Sequence, residues 1–192
     1  MLARENFDDE EMDEYAYEFN KQKFEEIESD NEIANFFDWF FLEAVNKEEN
    51  KRMIEFIRHD YPDFFSNEEI AIIDEWIRNT QAGLFEIESI EKESWKLTLI
   101  EIFTGEKYEI TDRKASESAI KHDILFARIQ KIFSNYYMGG AAINYPRFNI
   151  LEEIKSFVMR KYEVERRLRH GLTYKEFMNS CSKMLNEFEP EM

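Results

Sequence analysis

The stretch from Gly83 to Tyr145 constrains the fold most, because large apolar and polar side chains alternate there at every second residue. The alternation is clearest in Trp-Lys-Leu-Thr-Leu-Ile-Glu-Ile-Phe and in Lys-Tyr-Glu-Ile-Thr, and similar runs start at Gly83, Asp123 and Tyr136. Such alternation puts one set of side chains on the buried face of a sheet. The sequence therefore predicts five short strands that form a β unit over residues 83–145.

Short, bent strands of this kind suit a small SH3-like or OB-like antiparallel barrel, and a flat meander is the alternative. Thr104-Gly105-Glu106 has the composition of a hairpin turn. Gly139-Gly140, in or beside the last strand, indicates a bulge, a tight bend or a close approach of another backbone. Residues 112–121 are expected to form a polar connection to the fourth strand.

Apolar residues at helical spacing on both sides of the β unit predict an α+β protein in which the helices cover the barrel. About four helices precede it, with capping boxes expected at Ser29 and Ser66, and two follow it, the first capped by Asn149. The expected organisation is one domain, 1–192, made of an acidic helical arm (1–28), a helical part (29–82), the β unit (83–145) and C-terminal helices (146–192).

Charge is spread unevenly along the chain, and this narrows the classes of partner. The net charge is −17, and residues 1–32 hold 13 acids and 3 bases, whereas residues 151–192 hold 8 of each. A protein that binds a phosphate backbone must present Lys and Arg to displace counterions, so nucleic acid is an unfavoured partner. Acidity of this kind steers a protein toward a basic partner.

A single cysteine, Cys181, leaves no internal disulfide and fits a reducing cytosol. It belongs to an apolar stripe, where a cysteine acts as a small core residue rather than a nucleophile. The N-terminus lacks a basic flank followed by an apolar run, and no stretch reaches 18 uncharged apolar residues. We therefore expect a cytoplasmic protein that does not contact a membrane.

The short signatures of catalysis and cofactor binding are missing from the sequence: there is no Gly-rich phosphate loop, nucleophile elbow, His-Glu-x-x-His or calcium loop. This favours a protein without an enzymatic activity, a cofactor or a metal. The enzyme alternative is an unrecognised pocket at the sheet face that uses His122, Asp123, Arg128 or Tyr136.

Residues 160–170 form the one concentrated basic run, and they include Arg166, Arg167 and Arg169. Late in a helix such a run complements the helix dipole. It could also bind phosphate, RNA, an acidic partner or the acidic N-terminal arm of the chain itself, which would then act as a shield. The apolar stripe of the last predicted helix, 173–188, is a docking face either for the body of the protein or for a second copy in a homodimer.

Residues 33–148 resemble the body of a group of bacterial proteins that carry a SEC-C zinc motif. The resemblance lies in Phe37-Asp38-Trp39-Phe40, Ser66-x-Glu68-Glu69 with Trp76, Gly83-Leu84-Phe85-Glu86-Ile87, the Thr104-Gly105 turn before Tyr108, and Asp123-Ile124-Leu125-Phe126-Ala127-Arg128. His122 stands where that group has a glycine. With one cysteine the chain lacks the zinc motif itself, so the resemblance implies no role that depends on zinc.

These observations predict a cytosolic binding or adaptor protein that contacts another protein through the barrel rim, Gly139-Gly140 and the acidic arm. The alternatives are a nucleic-acid-binding protein that uses the barrel and the basic run, an acidic mimic of DNA that blocks a DNA-binding enzyme, and an enzyme. The candidate binding residues are His122, Asp123, Arg128, Tyr136, Gly139, Gly140, Arg166, Arg167 and Arg169.

Overall fold

A computed structural model describes residues 8–145 and 150–188, apart from the side chains of Ala141, Cys181, Asn186 and Glu187. Over residues 8–80 of this described part, four α-helices precede the β unit, as the sequence predicts. They are α1 (Asp9–Asn20), α2 (Asp30–Leu42), α3 (Met53–Asp60) and α4 (Asn67–Asn79), with 3-10 turns at Phe24–Glu26 and Pro62–Phe64. A two-residue ladder pairs Val45–Asn46 with Lys51–Arg52 before α3.

Helix α1 is packed into the body of the protein rather than extended as an arm. Its buried residues, Met12, Tyr15, Ala16 and Phe19, join an aromatic cluster built mainly by α2. The ring of Tyr15, for example, meets that of Phe40 edge to face at 5.0 Å. The carboxylates of α1 lie on its outer face, so the predicted acidic helix is the solvated outer layer of an aromatic core.

Five strands form a closed barrel, which confirms the predicted fold class. The strands are β1 (Gln81–Glu91), β2 (Lys96–Glu101), β3 (Lys107–Thr111), β4 (Ile124–Ile132) and β5 (Asn135–Tyr145), and they pair in the order β1-β2-β3-β5-β4 with β4 closing on β1. The expectation of an antiparallel barrel is wrong for one pair, since β3 and β5 run parallel with Ile110 opposite Tyr136. This order, with a helix between β3 and β4, is an OB-type arrangement.

The local expectations around the barrel need three corrections. Residues 112–121 hold a short helix, α5 (Arg113–Ser118), which the Asp112 side chain caps. Ser29 precedes α2 but makes no capping hydrogen bond, whereas Ser66 forms the predicted box. The sequence predicts the next helix from about Glu48 to His59, but α3 begins at Met53, because the two-residue ladder and its turn occupy residues 45–52. Asn149, the predicted cap of the next helix, lies outside the described residues.

Two helices follow the barrel, α6 (Leu151–Leu168) and α7 (Tyr174–Cys181), and a 3-10 segment, Ser182–Glu187, continues α7. The predicted stripe over 173–188 is therefore one α-helix and one 3-10 turn. Its apolar residues pack with α6 against the outer face of β1 and β4. The stripe thus docks on the body of the same chain, and a homodimer through this segment stays a prediction. Among the described residues, no helix is long and apolar enough to cross a membrane.

The covering by helices decides which barrel face meets solvent. Strand β4 is buried on both faces from Ile124 to Gln130, because one face lines the barrel and the other lies under helices. Strands β2 and β3 alternate between buried and accessible residues along their whole length. Their outer face is therefore the side of the barrel that remains available for binding.

Candidate functional site

Arg128, a predicted binding residue, lies inside a buried ionic joint instead of on a surface. Its guanidinium is 2% exposed; Nε donates to Glu43 Oε1 at 2.8 Å, and Nη2 donates to Ser182 Oγ at 2.8 Å. The Ser182 hydroxyl also contacts both oxygens of the Glu43 carboxylate. Burial raises the pKa of Glu43, and the Arg128 charge opposes that rise. The joint ties the end of α2, strand β4 and the C-terminal segment together.

Side chains of other residues lie so close to the backbone of Gly139 and Gly140 that a Cβ atom would not fit at either position. The ladder between β4 and β5 shifts between Phe126 and Arg128, which leaves a bulge at this point as predicted. A Cβ on Gly140 would lie 2.0 Å from Asp38 Oδ2, and φ at Gly140 is +50°, so a larger residue would be strained and would clash. The close approach therefore comes from an α2 side chain, and it buries Gly139 but leaves Gly140 exposed.

Asp38 carries a second perturbed carboxylate near this joint. Its Oδ2 is buried without a hydrogen-bond partner among the described residues. Burial raises the pKa of Asp38 to about 6, while Arg128 draws it down and Glu43 pushes it up. An ionisable group held in this way can serve catalysis or simply cost stability. Because Asp38 Oδ2 is buried and lies close to the backbone of Gly140, we assign Asp38 a role in stability.

The other predicted barrel residues lie apart from Arg128. His122 sits in the turn before β4 with φ +74°, and its Nδ1 lies 2.8 Å from Glu86 Oε1. The Asp123 carboxylate accepts a hydrogen bond from Asn144 Nδ2 at 3.1 Å. Six residues along a strand separate His122 from Arg128, which is about 20 Å. The proposed enzyme pocket therefore does not gather these groups into one site.

Tyr136 points into the barrel mouth, where its ring meets that of Tyr108 edge to face at 5.4 Å. Burial, followed by the Glu106 carboxylate, raises the pKa of Tyr108. The Lys131 ammonium lies 5.5 Å from the centre of the Tyr136 ring. Tyr136 thus helps to close the β3–β5 seam of the barrel.

Exposed aromatic side chains frame the outer face of β2 and β3. Trp95, in the β1–β2 turn, is 46% exposed, Phe133, in the β4–β5 turn, is 66% exposed, and Tyr137 on β5 is 37% exposed. The Trp95 carbonyl accepts from Asp112 N, which fixes Trp95 just past the end of β3. The parallel register puts the β4–β5 turn, which holds Phe133, near the start of β3. Phe133 is therefore roughly 16 Å from Trp95 along the direction of β3.

Charged groups on this outer face are paired across strands. Lys96 Nζ lies 2.8 Å from Glu109 Oε1, and Lys107 Nζ lies 2.5 Å from Glu88 Oε1. The Arg113 guanidinium stands 5.7 Å from the centre of the Trp95 ring. The face is therefore a mixture of rings and neutralised pairs. Sequence reasoning missed these rings, although an aromatic residue inside a hairpin turn, where polar residues prevail, was a signal that could have found them.

The predicted basic residues lie on the last turns of α6, away from the barrel face. Arg166 Nη2 pairs with Glu163 Oε2 at 3.1 Å, Arg169 Nη1 donates to Ser180 Oγ at 3.0 Å, and Arg167 is exposed. The run is therefore partly used within the C-terminal helices. Its N-terminal members, Arg160 and Lys161, face α7.

Fold and geometry together define a class: an acidic α+β protein with an OB-type five-stranded barrel, covered on one side by helices and open on the β2–β3 side. The chain belongs to a family of unknown function, DUF7986, whose model matches residues 3–169. That match takes in the helical part, the whole barrel and α6. No curated protein and no solved structure matches the chain. The resemblance to the body of SEC-C-motif proteins stays a prediction.

Proposed function

We propose that this protein is a non-enzymatic adaptor that binds a partner protein through the open β2–β3 face of its barrel. The observation that carries the proposal is the framing of that face by exposed Trp95, Phe133 and Tyr137. Trp and Tyr are the residues that most often dominate the energy of protein interfaces. Their exposure in the free protein costs hydration free energy, which a partner would recover by covering them.

Charge favours a protein over a nucleic acid as the occupant of this face. Lys96 is paired with a carboxylate on β3 and Lys107 with one on β1, so these two lysines offer little net charge to phosphates. The helical part over residues 8–80 holds 23 acids and 7 bases, and it would repel a polyanion that approached the barrel. The same field would speed the approach of a basic partner.

Site-specific photo-crosslinking tests the proposal. A photoreactive phenylalanine analogue replaces Phe133 in one variant and Phe64 in another; Phe64 is a matched control, since it is an equally exposed phenylalanine on the helical part. We expect position 133, and not position 64, to capture a specific protein in the native host. The purified partner should then lose about tenfold or more in affinity for Trp95→Ala, as for an interface hot spot. Equal capture at both positions, or full affinity of the alanine variant, would contradict the proposal.

A nucleic-acid role is the second candidate, and the OB-type strand order favours it, because this fold binds oligonucleotides on its β2–β3 face. Exposed rings could stack on bases. Fluorescence anisotropy with single-stranded DNA and RNA at low and physiological salt separates the two roles. Binding that falls steeply with salt and depends on Trp95 would replace the adaptor proposal with this one.

A further inference from the structure

A groove lies between the second half of α6 and the segment formed by α7 and the following 3-10 turn. Its volume is about 500 Å³. One turn of a helix with its side chains, about 11 Å across and 5.4 Å long, has a volume of the same order. The groove is lined by Arg160, Lys161, Val164, Glu165, Phe177, Ser180, Lys183 and Met184.

The lining combines an apolar floor with a cationic rim. Val164, Phe177 and Met184 supply the floor, and Val164 is 52% exposed. One turn beyond Val164, Leu168 is 74% exposed and extends the apolar strip along the same side of α6. Exposed apolar groups in line with a groove indicate a surface that another chain covers.

The cations of the rim come from both walls of the groove. Arg160 and Lys161 belong to α6, and Lys183 belongs to the 3-10 turn opposite. The lining thus holds three bases against one acid, Glu165, in a protein whose net charge is −17. An anionic ligand is thus attracted here and repelled by the rest of the protein.

One contact shows that a carboxylate fits the rim. Glu18 of α1 reaches across to Lys183, with Oε1 2.6 Å from Nζ, and the same ammonium lies 5.3 Å from the centre of the Trp39 ring. Both members of the ion pair are partly exposed, so the pair is weak and exchangeable. Glu18 therefore occupies a position that a carboxylate of a ligand could take.

We infer that this groove binds an acidic amphipathic segment of a partner protein, with apolar side chains on the floor and carboxylates against the cations of the two walls. Helices commonly bind in this way, through residues at i, i+3 or i+4 that enter a groove between two helices. The site is separate from the barrel face, and it does not depend on the adaptor role proposed for that face.

A polyphosphate or nucleic acid fits the groove less well. Its floor is apolar, and Glu165 adds a carboxylate to the lining. A peptide can place its few carboxylates beside Arg160 and Lys183 and its apolar residues elsewhere, whereas a phosphate backbone cannot. Charge and apolar floor together thus select an acidic peptide.

The test selects ligands from a random library of 12-residue peptides displayed on phage, using the whole protein as bait. We expect the recovered peptides to be acidic and to carry two or more large apolar residues at helical spacing. Their affinity, measured by fluorescence anisotropy, should fall about tenfold or more in Arg160→Glu/Lys161→Glu. Glu18→Gln should raise it about two- to fivefold, because Lys183 is then released from its internal carboxylate.

The matched control is Arg166→Glu/Arg167→Glu, which makes the same charge change on the same helix outside the groove lining. Equal losses in both double variants would mean a general electrostatic attraction and would overturn the inference. So would recovered peptides without acidic bias, or tighter binding of single-stranded DNA or polyphosphate than of the peptides. Circular dichroism checks that each variant is folded. Trp95→Ala, which tests the adaptor proposal, should leave the affinity for the peptides unchanged. Failure of the adaptor proposal would therefore not count against peptide binding in the groove.

Discussion

Replacing Asp38 with Asn should stabilise the protein at neutral and alkaline pH. Asp38 is a carboxylate whose Oδ2 is buried against Gly140 without a hydrogen-bond partner among the described residues. An asparagine has nearly the same shape and no charge. The substitution therefore removes the cost of keeping an anion in this place while it leaves the packing in place.

The size of the effect follows from the pKa of Asp38, which burial raises from 3.8 to about 6. A difference of about 2 units corresponds to roughly 3 kcal/mol at pH values above both pKa values. Because the folded state binds the proton more tightly than the unfolded state, the free energy of unfolding falls as pH rises from about 4 to just above 6. The asparagine variant lacks this loss. Its free energy of unfolding minus that of wild type should therefore increase by about 2 kcal/mol between pH 4.5 and pH 8.

Urea unfolding followed by circular dichroism at pH 4.5, 5.5, 6.5 and 8 measures this difference. Asp63→Asn serves as a control, since Asp63 is exposed on a 3-10 turn and should show a difference near zero that does not change with pH. Both variants remove one negative charge, so the general effect of net charge cancels between them.

A constant difference between wild type and Asp38→Asn at all four pH values would refute the reasoning, because it would mean that Asp38 binds its proton equally in the folded and unfolded states, so that folding does not raise its pKa. A difference that shrinks as pH rises would refute it more strongly. It would show that the attraction of Arg128 outweighs burial and lowers the pKa of Asp38.

Two further predictions concern the same body of the protein. Gly140→Ala should lower the free energy of unfolding by about 2–4 kcal/mol, because its Cβ would overlap the Asp38 carboxylate. Gly105→Ala, also at positive φ but in open space, should lower it by about 1 kcal/mol. Denaturant midpoints compare the two variants. Glu101→Gln should lower the free energy of unfolding by about 2–4 kcal/mol, since this buried carboxylate accepts hydrogen bonds from two backbone N–H groups and the Tyr174 hydroxyl. Thermal melts should show the control Glu109→Gln, on the outer face of the barrel, within about 1 kcal/mol of wild type.

Much of the architecture could be predicted from local spacing. Period-two alternation in β2 and β3 located the strands, because these strands have one solvated face and one buried face. The capping box at Ser66 located the start of α4 for an equally local reason. The sequence left the choice between a barrel and a meander open and did not predict the parallel β3–β5 pair, because that pair joins residues far apart in the sequence.

The candidate site residues could be predicted less well. The local sequence predicts that Arg128 is a surface cation on a strand. Glu43 and Ser182 nevertheless bind its guanidinium, and both come from distant parts of the chain. The local sequence predicts that Trp95 is a core residue, yet its position in a turn leaves it exposed. In both cases neighbours in space, not neighbours in sequence, set the exposure of the side chain and hence its role.

By itself the sequence determined the five strands, the helices other than α5, the acidic first third and the position of the basic run, since propensity, alternation and charge act over a few residues. Tertiary structure alone decided that α1 is part of the core, that Asp38 and Gly140 meet, and that β2 and β3 present the open face of the barrel. It also brought Arg160 and Lys183 to opposite walls of one groove. Such placements depend on how helices cover a closed sheet, and that covering is fixed by long-range packing rather than by any local pattern.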